Sequence, residues 1–193
     1  MPLPAQGAWP NDKNPPGAGT NRPKPGRQRE GLGRSRGGLT TKIHLLADTH
    51  CRPLARVTSA GQRHDSLALQ PLLDRLRIAR RGTGHPRTRP GRLLADKAYS
   101  SKTARSRLRH RHIQAVIPEP AGQIANRRRR AQRGGRPPSF DAELYKQRNT
   151  VERAINKLRQ HRAVATRYDK RDFVYRGSVD VAAIRIWLRD PVP

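Results

Sequence analysis

Cysteine is nearly absent from this chain of 193 residues, with Cys51 alone, and aromatic side chains number two Trp, four Tyr and two Phe. A lone thiol excludes an intrachain disulfide framework and points to a reducing compartment. With a hydrophobic fraction of only 33%, the core must be thin, so one compact domain with loosely held length around it is the expectation. No apolar run reaches membrane-spanning length, and the opening MPLPAQGAWP lacks the apolar centre of a signal peptide. The expectation is a soluble cytoplasmic protein with no membrane partner. Acidic residues are scarce as well: 14 Asp and Glu against 42 Lys and Arg leave a formal net charge of +28. Such a field repels itself unless a polyanion neutralises it, which makes DNA or RNA the expected partner. Base-composition bias in the coding DNA is the competing source of so much arginine.

Residues 1–38 are crowded with Pro, Gly, Asn and Arg and carry neither helical nor strand period, as a disordered basic arm would. From 39 to 193 the pattern is that of a domain. Thr41, Ile43, Leu45 and Ala47 alternate with Lys42, His44 and Leu46, and "LARVTSA" follows a "DTHCRP" turn, so residues 40–60 predict a hairpin. Leu69, Leu72, Leu73 and Leu76 stand at helical spacing behind Asp65 or Ser66 as a cap. A short strand ending at Asp96, a helix begun by Ser100 or Ser101, and the strand "QAVIPEP" come next. This alternation predicts an α/β fold whose sheet has parallel members covered by helices. A cationic loop at about 121–138 then interrupts, and an apolar helix over roughly 179–188, with Ile184, Trp187 and Leu188 on one side, closes the domain.

Two carboxylates stand out against this basic background. Asp96 directly follows "RLLA", at the carboxyl end of a buried strand, where open α/β sheets build their sites. The alternative is a cap for the helical turn "KAYSS". Glu152 lies in "YKQRNTVERAINKLRQHRAVATRYDK"; on a continuous helix it shares one stripe with Tyr145, Arg148 and Arg159 beside an apolar stripe of Leu144, Val151, Ile155 and Leu158. Asn149, three residues earlier, leaves a capping box as the rival reading. Hard divalent cations take oxygen ligands, and two such ions clamp both oxygens of a phosphodiester displacement, so carboxylates in so basic a chain make most sense beside DNA. His110 and His112 in "HRH" lack the neighbouring ligands of a zinc site. The run Arg127, Arg128, Arg129 and Arg130, with Arg133 and Arg136, is either solvated or follows a phosphate backbone without reading sequence.

Four blocks in order, "GRSRGGLTTKIHL", "GQRHDS", "LADKAY" and the Glu152 segment, resemble the DDE transposases of bacterial insertion sequences from about Gly33 to Leu188. The resemblance implies a ribonuclease H-like mixed sheet with flanking helices, and Mg²⁺ or Mn²⁺ held by three carboxylates. It also implies cutting and joining of transposon ends and target DNA, by a homo-oligomer on DNA in a nucleoid-associated location. Asp96 matches the family's second Asp and Glu152 its Glu, as catalytic metal ligands. Tyr145 and Arg148 match the supporting Tyr and Arg of the glutamate helix, and Arg159 stands where the family usually has Lys. The first Asp has no counterpart. Asp12 sits in proline-rich "WPNDKNPP", Asp48 in the hairpin turn, and Asp65 reads as a helix cap. In that fold the first Asp lies on a central strand paired with the strand carrying the second. The expectation is therefore a reading frame truncated or shifted at its start, a sheet with a gap, and a chain weak or dead in catalysis by itself. A noncatalytic basic nucleic-acid-binding protein is the alternative.

Overall fold

The computed structural model describes residues 30–35, 38–80 and 82–189. Asp12 and most of the expected basic arm lie outside the described residues. The end of that arm is not arm-like, because β1 (Gly33–Ser35) pairs antiparallel with the start of β2 (Gly38–Ala47), Gly33 opposite Thr40. β2 then pairs antiparallel with β3 (Pro53–Ala60), from Thr41 opposite Ala60 to Ala47 opposite Pro53. Asp48 shapes the connecting turn. Its Oδ1 accepts from the N–H groups of His50 at 3.0 Å and Arg52 at 2.8 Å, and its Oδ2 accepts from Arg52 Nε at 2.7 Å. Cys51 takes a left-handed φ of 62° inside the turn and is buried.

Strict alternation of buried and exposed residues does not hold along β2. Leu45 packs into the first core cluster, yet its neighbour His44 is equally buried, with Nε2 2.7 Å from Ser59 Oγ. Both faces of the hairpin are thus covered. Burial lowers the His44 pKa below the usual 6.5, with Asp65 opposing the shift and Lys42 and Arg63 adding to it. Below pH 6.5 the unfolded chain takes up a proton that the folded chain resists, so stability is complete above that value and lost as the pH falls beneath it. Urea titrations at about pH 7.5 and about pH 5.5 should show this decline, flattened in His44→Asn.

A 3-10 turn at Asp65–Ala68 leads into α1 (Leu69–Arg75), which buries Leu69, Leu72 and Leu73. Asp65 is not its cap, contrary to the sequence pattern. His64 Nδ1 accepts from Ser66 N–H at 3.3 Å, while Asp65 pairs with Lys42 at 2.8 Å. β4 (Arg92–Leu94) and β5 (Gln114–Val116) pair in parallel, linked by α2 (Lys102–His110) with Ser101 as its cap, 3.1 Å from Ala104 N–H. Leu93, Leu108, Ile113 and Ile117 with Leu69 and Leu73 form a second cluster.

Residues 121–138 are not the expected loop. They hold α3 (Ala121–Arg129) and a 3-10 turn at Ala131–Gly134. The expected continuous helix around Glu152 is broken at Gln147 and Arg148 into α4 (Ala142–Lys146) and α5 (Asn149–Arg159). α6 (Arg162–Thr166) and α7 (Asp172–Arg189) complete the chain's described part. α7 starts well before the expected 179 and turns Tyr175, Val179, Ala182 and Ile186 inward. Ile184 and Leu188, expected on the packed side, are 56% and 75% exposed. Trp187 does pack, donating from Nε1 to the Pro53 carbonyl at 2.7 Å beneath the Arg52 guanidinium.

The mixed α/β architecture is as expected. Among the described residues the strands form two separate sheets, β1-β2-β3 and β4-β5. Between them lies a cleft of about 450 Å³ lined by Thr41 to Leu46 on one side and Leu93 to Asp96 on the other.

Candidate active site

The register of β4 aims Asp96 at the cleft. Just past the strand, its Oδ1 accepts from Lys97 N–H at 2.6 Å, capping the 3-10 turn Lys97–Tyr99 and leaving Oδ2 without a partner among the described residues. Asp96 is thus a cap and a cleft-lining carboxylate at once.

Glu152 occupies the first turn of α5, where negative charge is favoured by the helix dipole. The capping box does not form: Asn149 is already helical, Arg148 stands at the cap position, and no side chain bonds the helix start. Glu152 instead accepts from Arg148 Nη1 at 2.5 Å. It is about half exposed and its partner less so, which makes the pair a positioning contact of small stabilising value.

Tyr145 lies in α4, ahead of the break. Its ring lies 5.4 Å from that of Phe140. Burial raises its pKa; Arg148 opposes this, and Asp96 and Glu152 both add to it, so the phenol lies within the field of both carboxylates. Arg148 and Arg159 both line the cleft, along with Val151, Ile155 and Leu158 of the same helix. Of the supporting residues expected from the sequence, Arg148 and Arg159 line the cleft, whereas Tyr145 in α4 and Glu152 are not among its lining residues.

Two cleft residues were not singled out as site residues. Tyr99 is pushed up to about 12, first by burial and then by Asp65 and Asp96. Asp65 lines the same cleft beside Lys42. Tyr99 was within reach of sequence reasoning, three residues after Asp96 in "LADKAY"; the placement of Asp65 depends on the hairpin, which brings Lys42 across. Among the described residues no group of three His, Cys, Asp or Glu side chains gathers as a metal would need.

On the other side of the 96–100 segment the arginine-rich helix closes a basin of about 1150 Å³. Arg127, Arg130, Arg133 and Arg136 line it together with Arg105 and Arg109 of α2. Arg128 and Arg129 are exposed and do not contribute to the lining. Arg127 is tied to Glu119 at 2.5 Å, a hydrogen bond that raises its already high pKa. Arg105 donates to the Ile117 carbonyl at 2.7 Å and to Ser100 Oγ at 3.0 Å. Arg109, Arg130, Arg133 and Arg136 make no ion pair among the described residues, so four guanidinium groups face solvent around one concavity. A strongly cationic depression of this kind suits a phosphate backbone.

Residues 16–183 match the family described as "Transposase DDE domain". A Brucella ovis protein, provisionally named the transposase for insertion sequence element IS6501, is 30% identical over 156 residues, spanning 78% of this chain and 100% of that relative. A Burkholderia cepacia protein, named in the same way for insertion sequence element IS402, is 32% identical over 131 residues, covering 68% of this chain and 54% of the relative. No solved structure matches the chain.

Proposed function

This chain belongs to the family of transposase DDE domains, and from that premise we propose that Asp96 and Glu152 are two of its catalytic carboxylates, set by a ribonuclease H-like scaffold beside bound DNA. Its function is transposition of DNA, as a transposase by resemblance to that family and to the insertion-sequence relatives. The observation that carries the site assignment is the cleft that Asp96 and Arg148 line together, Arg148 holding Glu152 at 2.5 Å. The hairpin, followed by two parallel strands joined through a helix, supports the ribonuclease H-like reading.

The donor chemistry suits Mg²⁺ or Mn²⁺ in part. Both prefer carboxylate oxygen, and Asp96 and Glu152 supply it. The described residues bring no third ligand to them, so they do not complete a metal centre. Arg148 holds Glu152 in place, Arg159 presents a cation to the cleft, and Tyr145 packs against Phe140. The arginine basin gives the DNA strand its electrostatic track. More than one copy on the DNA belongs to the same reading, supported by the exposed apolar face of α7 at Val181, Ile184 and Leu188.

The incomplete donor set also favours a second reading, a basic nucleic-acid-binding protein without catalysis. The two separate in one assay, in which the purified chain is given Mg²⁺ or Mn²⁺ and DNA bearing an insertion-sequence end. Weak cutting is expected, lost in Asp96→Asn and in Glu152→Gln, with DNA affinity held within about twofold because neither substitution removes a phosphate contact. Vigorous cutting by the chain alone would refute an incomplete centre. Cutting that survives both substitutions would refute the assignment of these two acids, and none under any condition would leave the binding protein.

A further inference from the structure

α7 carries two apolar stripes, and the fold uses one of them. On one side Tyr175, Val179, Ala182 and Ile186 are buried against the hairpin and α5. On the opposite side Val174, Gly177, Val181, Ile184 and Leu188 fall within an arc of about 80°. The four larger ones are between 41% and 75% exposed. Their alternating spacing of three and four is that of a heptad seam: with Val174, Val181 and Leu188 at a, Gly177 and Ile184 stand at d. A stripe this narrow suits one partner helix.

Two further features say which helix. Gly177 sits in the interior of α7, where glycine destabilises, and a methyl group there would meet no atom within 4 Å. Nothing among the described residues requires its missing side chain, whereas a second backbone laid on the seam gains close approach from it. The flanks are also complementary to themselves. Asp180 stands at g and Arg185, five positions on, at e. In a parallel pair of identical helices, Asp180 of each copy therefore faces Arg185 of the other, twice by symmetry. Antiparallel packing would set like charge against like. Arg185 is exposed and makes no ion pair among the described residues. Asp180 holds Arg56 and is still about half exposed.

We propose that α7 is a homodimer seam, packed in parallel against α7 of a second copy through Val174, Val181, Ile184 and Leu188, and formed only when DNA neutralises the two chains. The proposal rests on the reading of more than one copy on DNA and names the surface that joins them. Each copy carries a formal charge of +28, and fields of that size oppose association in dilute salt. About two heptads make a small contact beside the roughly 1,600 Å² of a standard interface, so the seam is weak alone. DNA supplies the neutralising charge and, by holding two copies near each other, the effective concentration. Assembly is thereby confined to DNA-bound protein.

Disulfide trapping on the full chain tests it, with diamide as oxidant and short random-sequence duplex DNA as the polyanion. Cys51 is buried, so the unaltered protein is the blank. With DNA, Val181→Cys and Ile184→Cys should each give covalent dimers at least about tenfold faster than Thr103→Cys, an exposed position on α2. Without DNA in dilute salt that advantage should vanish, and about 0.5 M NaCl, which shortens the repulsion to a few ångströms, should restore part of it. Asp180→Lys and Arg185→Glu, each combined with Val181→Cys, should cross-link slowly alone and recover the rate when mixed, since only the mixed pair faces opposite charges.

Sedimentation of the unaltered chain on the same duplex counts copies independently. Two copies with no preference for Val181→Cys over Thr103→Cys would overturn the seam and leave the reading of several copies on DNA; single copies would overturn both. Mixed disulfides between Val174→Cys and Leu188→Cys, in place of each with itself, would overturn the parallel arrangement. Equal rates with and without DNA would overturn the control by charge. Slow maleimide labelling of Val181→Cys in the free monomer would overturn the proposal as well, by showing that the chain covers its own seam.

Discussion

Arg109, Arg130, Arg133 and Arg136 replaced together by glutamine should lower the steepness of DNA binding against salt by about 3 to 4 in a plot of log K on log salt, since each phosphate contact contributes roughly 0.9. Between about 50 and 200 mM salt the wild-type chain would then lose on the order of a hundredfold more affinity than the variant. These four line the basin without internal ion pairs, so their charge is available to phosphate. Arg127 is the internal control. Its partner Glu119 already offsets it, and Arg127→Gln alone should change the slope little, while leaving a carboxylate unpaired. Fluorescence anisotropy with a labelled duplex over a salt series decides the matter. An unchanged slope in the fourfold variant would mean that DNA lies elsewhere on this very basic surface.

The second large effect is on stability. Leu158 is 1% exposed and belongs to the cluster that joins β2, α5, α6 and α7 through Leu45, Ala154, Val164, Tyr175 and Val179. Leu158→Ala should cost about 2–5 kcal/mol, from lost transfer energy and the cavity left behind. In a domain of this size each kcal/mol moves the thermal midpoint by about 2–4 °C, and with so thin a core the variant should be close to unfolding at ordinary temperatures. Leu188→Ala, on the 75% exposed side of α7, should stay within about 0.5 kcal/mol of the wild type. Similar midpoints for the two variants would show that α5 is not docked on the hairpin, and the placement of Glu152 would go with it.

Local pattern made the hairpin readable, because Thr41 to Ala47 and "LARVTSA" flank a turn and both segments have strand composition. The strand before Asp96 and the cap at Ser101 were legible for similar reasons. Composition misled at 121–138. Glycines and a charge run suggested a loop, yet Arg, Gln and Ala are good helix formers, and the helix is held by Arg127 on Glu119 and by Gln123 beside Ser100. The break at Gln147 and Arg148 carries no glycine or proline, so no breaker residue announces it; three-residue hydrogen bonds there, such as Arg148 N–H to the Tyr145 carbonyl at 2.9 Å, change the direction of the chain. The packed side of α7 was misjudged because hydrophobic residues occur around much of its circumference, and only the tertiary partners choose among them. Of the site, Asp96 and Glu152 are visible as isolated acids in a basic chain, and Tyr99 stands three residues after Asp96, whereas Asp65 becomes a cleft residue only through the hairpin that brings Lys42 across.

The indole of Trp187 rests on the carbonyl of Pro53, 134 positions earlier, and Leu45 shares its cluster with Tyr175 and Val179. During synthesis the hairpin therefore leaves the ribosome long before the helix that seals it exists. Contacts of such long range make folding slow and leave β-edges bare to other chains in the interval. The nascent protein should consequently depend on chaperones more than its length alone suggests, and shortening it from the C-terminal side should strand it at that stage.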